Sequence, residues 1–127
     1  GLGLLDIETV MNGNKHLSRV EAQHAATSLP FTGYEIHIGR SSGADCGRPF
    51  AHVAGAPEGA ISADGCTEGT YLHGMFSDDT FRAAYLQSLG AQSSRRSYAA
   101  SVETTLDGLA AHLEAHLDVA GLLALAR

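Results

Sequence analysis

A histidine beside a glycine, His73, has the local setting in this sequence that best suits chemistry. It follows the strand-like stretch Gly69-Thr70-Tyr71-Leu72 and precedes Gly74-Met75-Phe76 and a capped helix. In α/β domains, reactive groups usually stand where a strand ends and the chain turns towards a helix. His73 is therefore a candidate general acid or base, although a histidine that only hydrogen-bonds a turn would give the same pattern.

Two further ionisable residues, Glu35 and His37, share one face of the strand-like stretch 31–40. Alternation along a strand places an apolar set on the other face, namely Tyr34, Ile36 and Ile38. A pair such as Glu35 and His37 either faces solvent on an edge strand or lines a cleft. Both interpretations stay open at this point.

The two cysteines, Cys46 and Cys66, are poorly placed for nucleophilic catalysis. A nucleophile on a sharp strand-to-helix turn needs small neighbours and a following helix that supplies backbone N–H groups. Pro49 argues against a helix directly after Cys46, and Cys66 lies in a turn with Asp64 and Gly65. We expect both cysteines to be structural or incidental.

The sequence predicts no metal site and no nucleotide site in this chain. Two isolated cysteines lack the spacing of zinc ligands. His112 and His116 stand four residues apart around Glu114, which does not match the zincin pattern and indicates a solvated helix face. The 15 glycines do not form a phosphate-binding loop followed by a helix.

Length and composition are those of one ordinary globular domain. The chain has 127 residues, of which 44% are hydrophobic and 17% charged, with a formal net charge of -6. Scattered basic residues argue against binding to nucleic acid or to a membrane surface. No apolar run approaches the ~20 residues that span a bilayer, and two cysteines make no disulfide framework. We expect a cytoplasmic protein.

Strand and turn signals dominate up to residue 76, and helical periodicity dominates from residue 77 to residue 127. Strands are predicted at 4–10, 31–40, 50–53, 60–62 and 70–72, with a turn at 12–14 and no assignment for 15–30. Ser77 is predicted to cap a first helix that stops at Gly90, and a polar linker at 91–97 leads into the second helix. A second helix carries an apolar stripe: Val102, Leu106, Leu109, Leu113 and Leu117. A last short helix at 122–125 is expected to pack on the same core. Strands followed by helices indicate an α/β or α+β domain, or the C-terminal part of one.

Two segments, GYEIHIGR at 33–40 and GTYLHGMF at 69–76, together resemble the cobyric acid synthase family of glutamine-dependent amidotransferases. The stretches 1–6 and 59–65, and the leucine-rich helix ending at Leu117, fit in the same order. The resemblance therefore covers essentially the whole chain. It implies an α/β fold, the C-terminal part of a flavodoxin-like class I (triad-type) glutamine amidotransferase domain.

The resemblance also implies a mechanism. In that family a cysteine attacks the glutamine side-chain amide, and a histidine, here His73, activates the thiol and protonates the departing ammonia. The resemblance places the nucleophile upstream of Gly1, in a glycine-rich turn, and neither cysteine of this chain matches it. The chain also opens with strand-like residues and no Met, which indicates a missing upstream part. Met75 stands where many relatives in the wider superfamily carry an acidic residue, so the third member of the triad is either elsewhere or dispensable. The nucleophile and the synthetase domain are both missing from this chain. We therefore expect a fragment that is inactive alone.

The expected partners follow from the same resemblance. Ammonia from glutamine would pass to an N-terminal synthetase domain, which uses ATP and Mg²⁺ to amidate adenosylcobyrinic acid a,c-diamide in bacterial cobalamin biosynthesis; no cofactor is expected in this chain. Glu35 and His37 match a family motif and would either shape the glutamine pocket or hold the His73 strand in place, and we favour a supporting role. Two alternatives remain: a cobyrinic acid a,c-diamide synthase or related ligase, and a non-catalytic glutaminase-like binding module.

Overall fold

The computed structural model describes residues 1–92 and 96–126, with only the backbone at residues 12 and 14. The chain forms two compact units, Gly1–Ser93 and Ser94–Arg127. The strands and the first helix belong to the first unit, and the last two helices belong to the second. The predicted linker at 91–97 falls partly outside the described residues.

The first unit contains short strands arranged around one long hairpin. Its strands are β1 (Glu8–His24), β2 (Pro30–Ser42), β3 (Ala51–Val53), β4 (Ala56–Glu58), β5 (Ala60–Ile61), β6 (Glu68–Gly69) and β7 (Leu72–His73). Short 3₁₀ turns lie at Ala44–Gly47 and Met75–Ser77, and helix α1 spans Asp79–Ser88. In the described residues, one sheet has the order β4-β3-β1-β2-β7 and β5 pairs with β6. These pairings are antiparallel.

The prediction of a strand at 31–40 is confirmed by β2, but the strand predicted at 4–10 is wrong over its first residues. β1 begins only at Glu8. The N–H of Asp6 donates to the Asp45 carboxylate over 2.7 Å, and the N–H of Asp45 donates to the Asp6 carbonyl over 3.3 Å. Because these bonds tie the backbone at Asp6 to a loop, this stretch does not join the ladder.

The turn predicted at 12–14 is also wrong, since these residues lie inside β1. The pairing register shifts between Met11, opposite Gly39, and His16, opposite His37. β1 uses more residues than β2 over this interval, and the excess forms a bulge in the ladder. The turn-forming residues thus bend a continuous strand and do not end it.

The core of the first unit joins the hairpin, β3, β7 and α1. Its fully enclosed members include three aromatic residues, Phe31, Phe50 and Phe81. Phe81 stacks on Phe31 with a ring-centroid distance of 4.4 Å. Leu72, immediately before His73, is buried in the same cluster. The core therefore fixes the base of the short strand that carries the candidate histidine.

Helix α1 begins one residue later than predicted. Asp78, not Ser77, is the N-cap, and its carboxylate accepts from the N–H groups of Thr80 (3.0 Å) and Phe81 (2.9 Å). The Ser77 hydroxyl donates to the Gly74 carbonyl over 2.6 Å, so it closes the preceding 3₁₀ turn. Gly90 follows the C-cap Leu89 with φ +81°, which confirms it as the residue that stops the helix.

One buried histidine, His24, lies among the core rings. Its ring is 4.9 Å from Phe50 and 5.5 Å from Phe81. Its Nδ1 pairs with the Thr27 hydroxyl at 2.9 Å, while Nε2 is buried without a hydrogen-bond partner in the described part of the chain. Burial lowers the pKa of His24 below its usual value, and the Glu68 carboxylate offsets part of that shift. The folded chain therefore holds this ring neutral.

The lowered pKa of His24 makes stability fall in mild acid. Below pH 6.5 the unfolded chain binds a proton at this site more readily than the folded chain, so the His24 contribution is complete above that pH and is lost as the pH drops. The loss is at most about 1.4 kcal/mol per pH unit. Urea unfolding at pH 7.5 and 5.5 measures it. The His24→Gln variant, which cannot titrate, should show a smaller drop, and equal drops would contradict the prediction.

The second unit contains α2 (Tyr98–His116) and α3 (Val119–Leu125). Both helices are confirmed, with α3 beginning earlier than predicted. The predicted apolar stripe is 37–53% exposed, and Leu125 is 84% exposed. The packing of the last helix on a core stays a prediction. In the described residues no single helix is long and apolar enough to cross a membrane; α2 and α3 pass that test only as a pair bent by 87°.

Candidate active site

His73 lies at the end of the two-residue strand β7 and is exposed. It pairs with Tyr34 of β2, while Leu72 pairs with Glu35. Gly74 follows in a left-handed conformation with φ +76° and turns the chain into the 3₁₀ segment before α1. Within the described residues, the His73 ring makes no hydrogen bond or ion pair. It is thus an accessible imidazole on a strand that the core holds in place.

Glu35 and His37 contact each other and a third residue, His16, on the neighbouring strand. Glu35 Oε1 is 3.2 Å from His37 Nε2, and Glu35 Oε2 is 3.4 Å from His16 Nε2. The other nitrogen of His37, Nδ1, lies 2.8 Å from the Gly39 carbonyl oxygen. Both nitrogens of His37 therefore face oxygen atoms. A carboxylate between two histidines is the result.

The sheet separates His73 from this cluster. Residues directly opposite in an antiparallel pair have side chains on the same face, so His73 shares a face with Tyr34. Glu35, the next residue along β2, shares the other face with Leu72 and with His37. The structure therefore brings Glu35 and His37 together but does not bring either of them beside the His73 ring.

Glu35 and His37 line a cavity of about 500 Å³. The Tyr71 ring, also in its lining, stacks on His37 with a centroid distance of 4.9 Å and an interplanar angle of 28°. The Tyr71 hydroxyl pairs with Ser41 Oγ at 2.7 Å, which ties the segment before His73 to β2. Of the two interpretations of the pair, the cleft is the one that the structure shows.

Each of the two cysteines lies in a turn, a setting that suits a structural role. Cys46, half-buried in the first 3₁₀ turn, lines the cavity on the Glu35 face. Cys66 is exposed, and its N–H donates to Asp64 Oδ1 over 3.0 Å. That bond and a shorter one from the Ser62 hydroxyl lower the pKa of Asp64, with the Ser62 bond the larger cause. Cys66 thus belongs to a tight turn.

The remaining candidates supply neither an acid partner for His73 nor a metal site. Met75, at the position where many superfamily relatives carry an acid, is half-buried and packs against the core cluster. His112 and His116 are exposed on α2, where their rings stack at 4.3 Å. Across the described ranges, no group of three or more His, Cys, Asp or Glu residues is placed to hold a metal ion.

Sequence reasoning missed three residues of this region: His16, Tyr71 and Glu58. His16 reaches Glu35 because the bulge in β1 places His16 opposite His37. No local sequence pattern predicts that pairing register. Glu58 is buried, with 9% exposure, yet the sequence around it shows only the turn formers Pro57 and Gly59. The sequence offered only an acidic residue between two turn formers, and that pattern does not predict burial.

A protein-family model, the CobB/CobQ-like glutamine amidotransferase domain, matches residues 1–81. The chain belongs to this amidotransferase family. The match includes β1 to β7 and therefore Glu35, His37 and His73. Membership, together with strands that precede three helices, confirms the expected α/β fold class.

Curated relatives of this amidotransferase chain carry one name. Over all 127 residues it is 65% identical to the cobyric acid synthase of Cereibacter sphaeroides (strain ATCC 17025) and 62% identical to a cobyric acid synthase of Rhodobacter capsulatus. The Bradyrhizobium diazoefficiens cobyric acid synthase is 57% identical over the same length. The chain spans 26% of each of these relatives. No solved structure was found to match it.

Proposed function

We propose that this chain is the C-terminal part of the glutaminase domain of a cobyric acid synthase, in which His73 acts as the catalytic base and acid. The observation that carries the proposal is an exposed imidazole, without a hydrogen-bond partner among the described residues, on a core-anchored strand of an amidotransferase domain. The full-length relatives, which bear the name cobyric acid synthase at 57–65% identity, support this reaction over that of a related ligase.

The proposed chemistry needs a thiol that approaches the face of the sheet on which His73 lies. His73 takes the thiol proton, the sulfur attacks the glutamine amide carbon, and the carbon–nitrogen bond breaks as His73 returns the proton to the leaving ammonia. Water then attacks the γ-glutamyl thioester, releasing glutamate and the thiol. Cys46 lines the cavity on the Glu35 face, so we assign the nucleophile to a cysteine outside these residues.

The ammonia would be used outside this chain. In the proposed enzyme an ATP- and Mg²⁺-dependent synthetase domain of the same polypeptide binds the corrinoid and amidates adenosylcobyrinic acid a,c-diamide. None of the residues described above is assigned to ATP, Mg²⁺ or corrinoid binding. Within this chain the proposal concerns glutamine hydrolysis alone.

We assign Glu35 and His37 a supporting role behind the His73 strand. Their side chains lie on the opposite face of the sheet, but Glu35 pairs with Leu72, and His37 stacks on Tyr71. Through these neighbours they fix the segment that presents His73. They are positioning residues under this proposal, and contact with the reacting amide is not needed.

Glu35→Gln should lower glutamine hydrolysis several-fold, far less than loss of His73, because it removes the charge between His16 and His37. The measurement is the kcat for glutamate release by the full-length polypeptide. Glu21→Gln, at an exposed position on β1, is the matched control and should leave kcat unchanged. A Glu35→Gln enzyme as impaired as a His73 variant would contradict the supporting role.

The proposed function is tested with the full-length polypeptide, glutamine, ATP and Mg²⁺. We expect glutamate release coupled to amidation when adenosylcobyrinic acid a,c-diamide is the acceptor. Amidation of cobyrinic acid itself, and not of the diamide, would identify the sister diamide synthase. Absence of glutamate release under all these conditions would identify a non-catalytic module and overturn the proposal.

A further inference from the structure

The buried carboxylate of Glu58 holds the segment that leads to His73. Its Oε1 accepts from the N–H of Tyr71 over 2.7 Å, and its Oε2 accepts from the Thr70 hydroxyl over 2.6 Å. The Thr70 hydroxyl oxygen in turn accepts from the N–H of Leu72 over 3.0 Å. One side chain thus organises three consecutive residues that end directly before His73.

The strand carrying His73 needs such an anchor because it is very short. β7 has only two residues, so its ladder with β2 supplies few hydrogen bonds. The carbonyl of Tyr71 accepts from the N–H of Ile36 over 3.1 Å, so β2 satisfies the Tyr71 carbonyl. The N–H of Tyr71 needs a different acceptor. Glu58 satisfies it, and a buried N–H left unpaired would be costly.

The backbone beside Glu58 is built for close approach to this segment. Gly59 has φ +76°, and a Cβ there would lie 2.5 Å from the Gly69 carbonyl oxygen and 2.8 Å from Phe50 Cβ. Only glycine fits these distances and this conformation together. The turn after β4 therefore lies directly against residues 69–70 and holds Glu58 close to this segment.

We propose that Glu58 is a positioning residue for the catalytic histidine, acting through Thr70 and Tyr71. This inference rests on the proposed glutaminase function of His73. Positioning matters because a displacement of about 1 Å at a reacting group costs roughly 100-fold in rate. Glu58 does not touch the His73 ring, so its effect must pass through the backbone of residues 70–72.

The first test compares Glu58→Ala with Glu58→Gln in the full-length polypeptide. Glutamine keeps one acceptor for the Tyr71 N–H and offers a donor to the Thr70 oxygen, whereas alanine keeps neither. We expect kcat for glutamate release to fall ~10- to 100-fold in Glu58→Ala with the KM for glutamine little changed, since only the transition state uses the placement of His73. Glu58→Gln should recover most of the loss. Wild-type kcat in Glu58→Ala, or equal losses in both variants, would overturn the proposal.

A second pair of variants tests the same hydrogen bonds independently, in case Glu58→Ala misfolds. Thr70→Val keeps the shape of threonine but removes the hydroxyl that Glu58 and Leu72 share, while Thr70→Ser keeps that hydroxyl. We expect a lower kcat in Thr70→Val and near-normal kcat in Thr70→Ser. Equal activity of the two would overturn the proposal.

Amide hydrogen exchange separates this inference from the proposed function. The Tyr71 and Leu72 amides should exchange faster in Thr70→Val or Glu58→Ala than in the wild type, whether or not the polypeptide hydrolyses glutamine. Unchanged exchange at both amides would overturn the anchoring role. Faster exchange without any glutaminase activity in the wild type would keep the anchor and reject the function assigned to His73.

Discussion

Replacement of His73 with alanine is expected to abolish nearly all glutamine hydrolysis by the full-length polypeptide. A general acid–base group contributes roughly 10²- to 10⁴-fold, and His73 would act twice in the proposed cycle, once on the thiol and once on the ammonia. We therefore expect the kcat for glutamate release to decrease by a factor within or above that range.

The His73→Ala variant should fold normally, which makes the activity loss interpretable. The ring is exposed and has no hydrogen-bond partner in the described residues, so its removal leaves no cavity and no unpaired polar group. The control is His112→Ala, which replaces a different exposed histidine, on helix α2, and should keep full activity. Turnover of His73→Ala within about twofold of the wild type would reject the assignment of the base.

Local patterns predicted the elements that carry the candidate site. The alternation of GYEIHIGR indicated β2, and the glycine after His73 indicated a turn into a helix. Alternation could not predict which face of β2 is exposed to solvent and which faces the cavity. Tyr34 is 50% exposed and Ile38 43%, whereas Glu35 and His37 face the cavity, the reverse of an ordinary half-wet strand.

Long-range register explains the residues that sequence reasoning missed. His16 meets Glu35 only after the bulge in β1 shifts the pairing, and a one-residue difference would put it on the other face. Glu58 reaches Tyr71 across 13 positions of chain through a turn that depends on Gly59. Contacts of this kind arise from tertiary packing, so neither the hydropathy pattern nor the residue spacing of the sequence predicts them.

The same limit applies to the core contacts of Phe81, which helical spacing alone does not predict. Its ring stacks on Phe31 from β2 and lies 5.5 Å from His24 of β1. Tyr85, one turn later on α1, packs against it at 5.8 Å. Phe81 thus connects the helix after His73 to both strands of the long hairpin.

Phe81→Ala should therefore destabilise the chain strongly. The side chain is 0% exposed, and removing a buried phenylalanine costs about 3–5 kcal/mol through lost burial and the cavity left behind. Urea unfolding followed by far-ultraviolet circular dichroism measures the change in the free energy of unfolding. Since small domains have total stabilities of roughly 5–15 kcal/mol, the variant should be unfolded at much lower urea.

Phe76→Ala is the matched control for this core prediction. Phe76 stacks on Phe81 at 6.0 Å but is 42% exposed, so solvent already reaches its ring and can fill the space it leaves. We expect a loss of about 1 kcal/mol or less there, as for substitutions outside a core. Similar losses in the two variants would mean that α1 is not held by the Phe31–Phe81 stack. His73 would then stand on a strand whose base the helix does not secure.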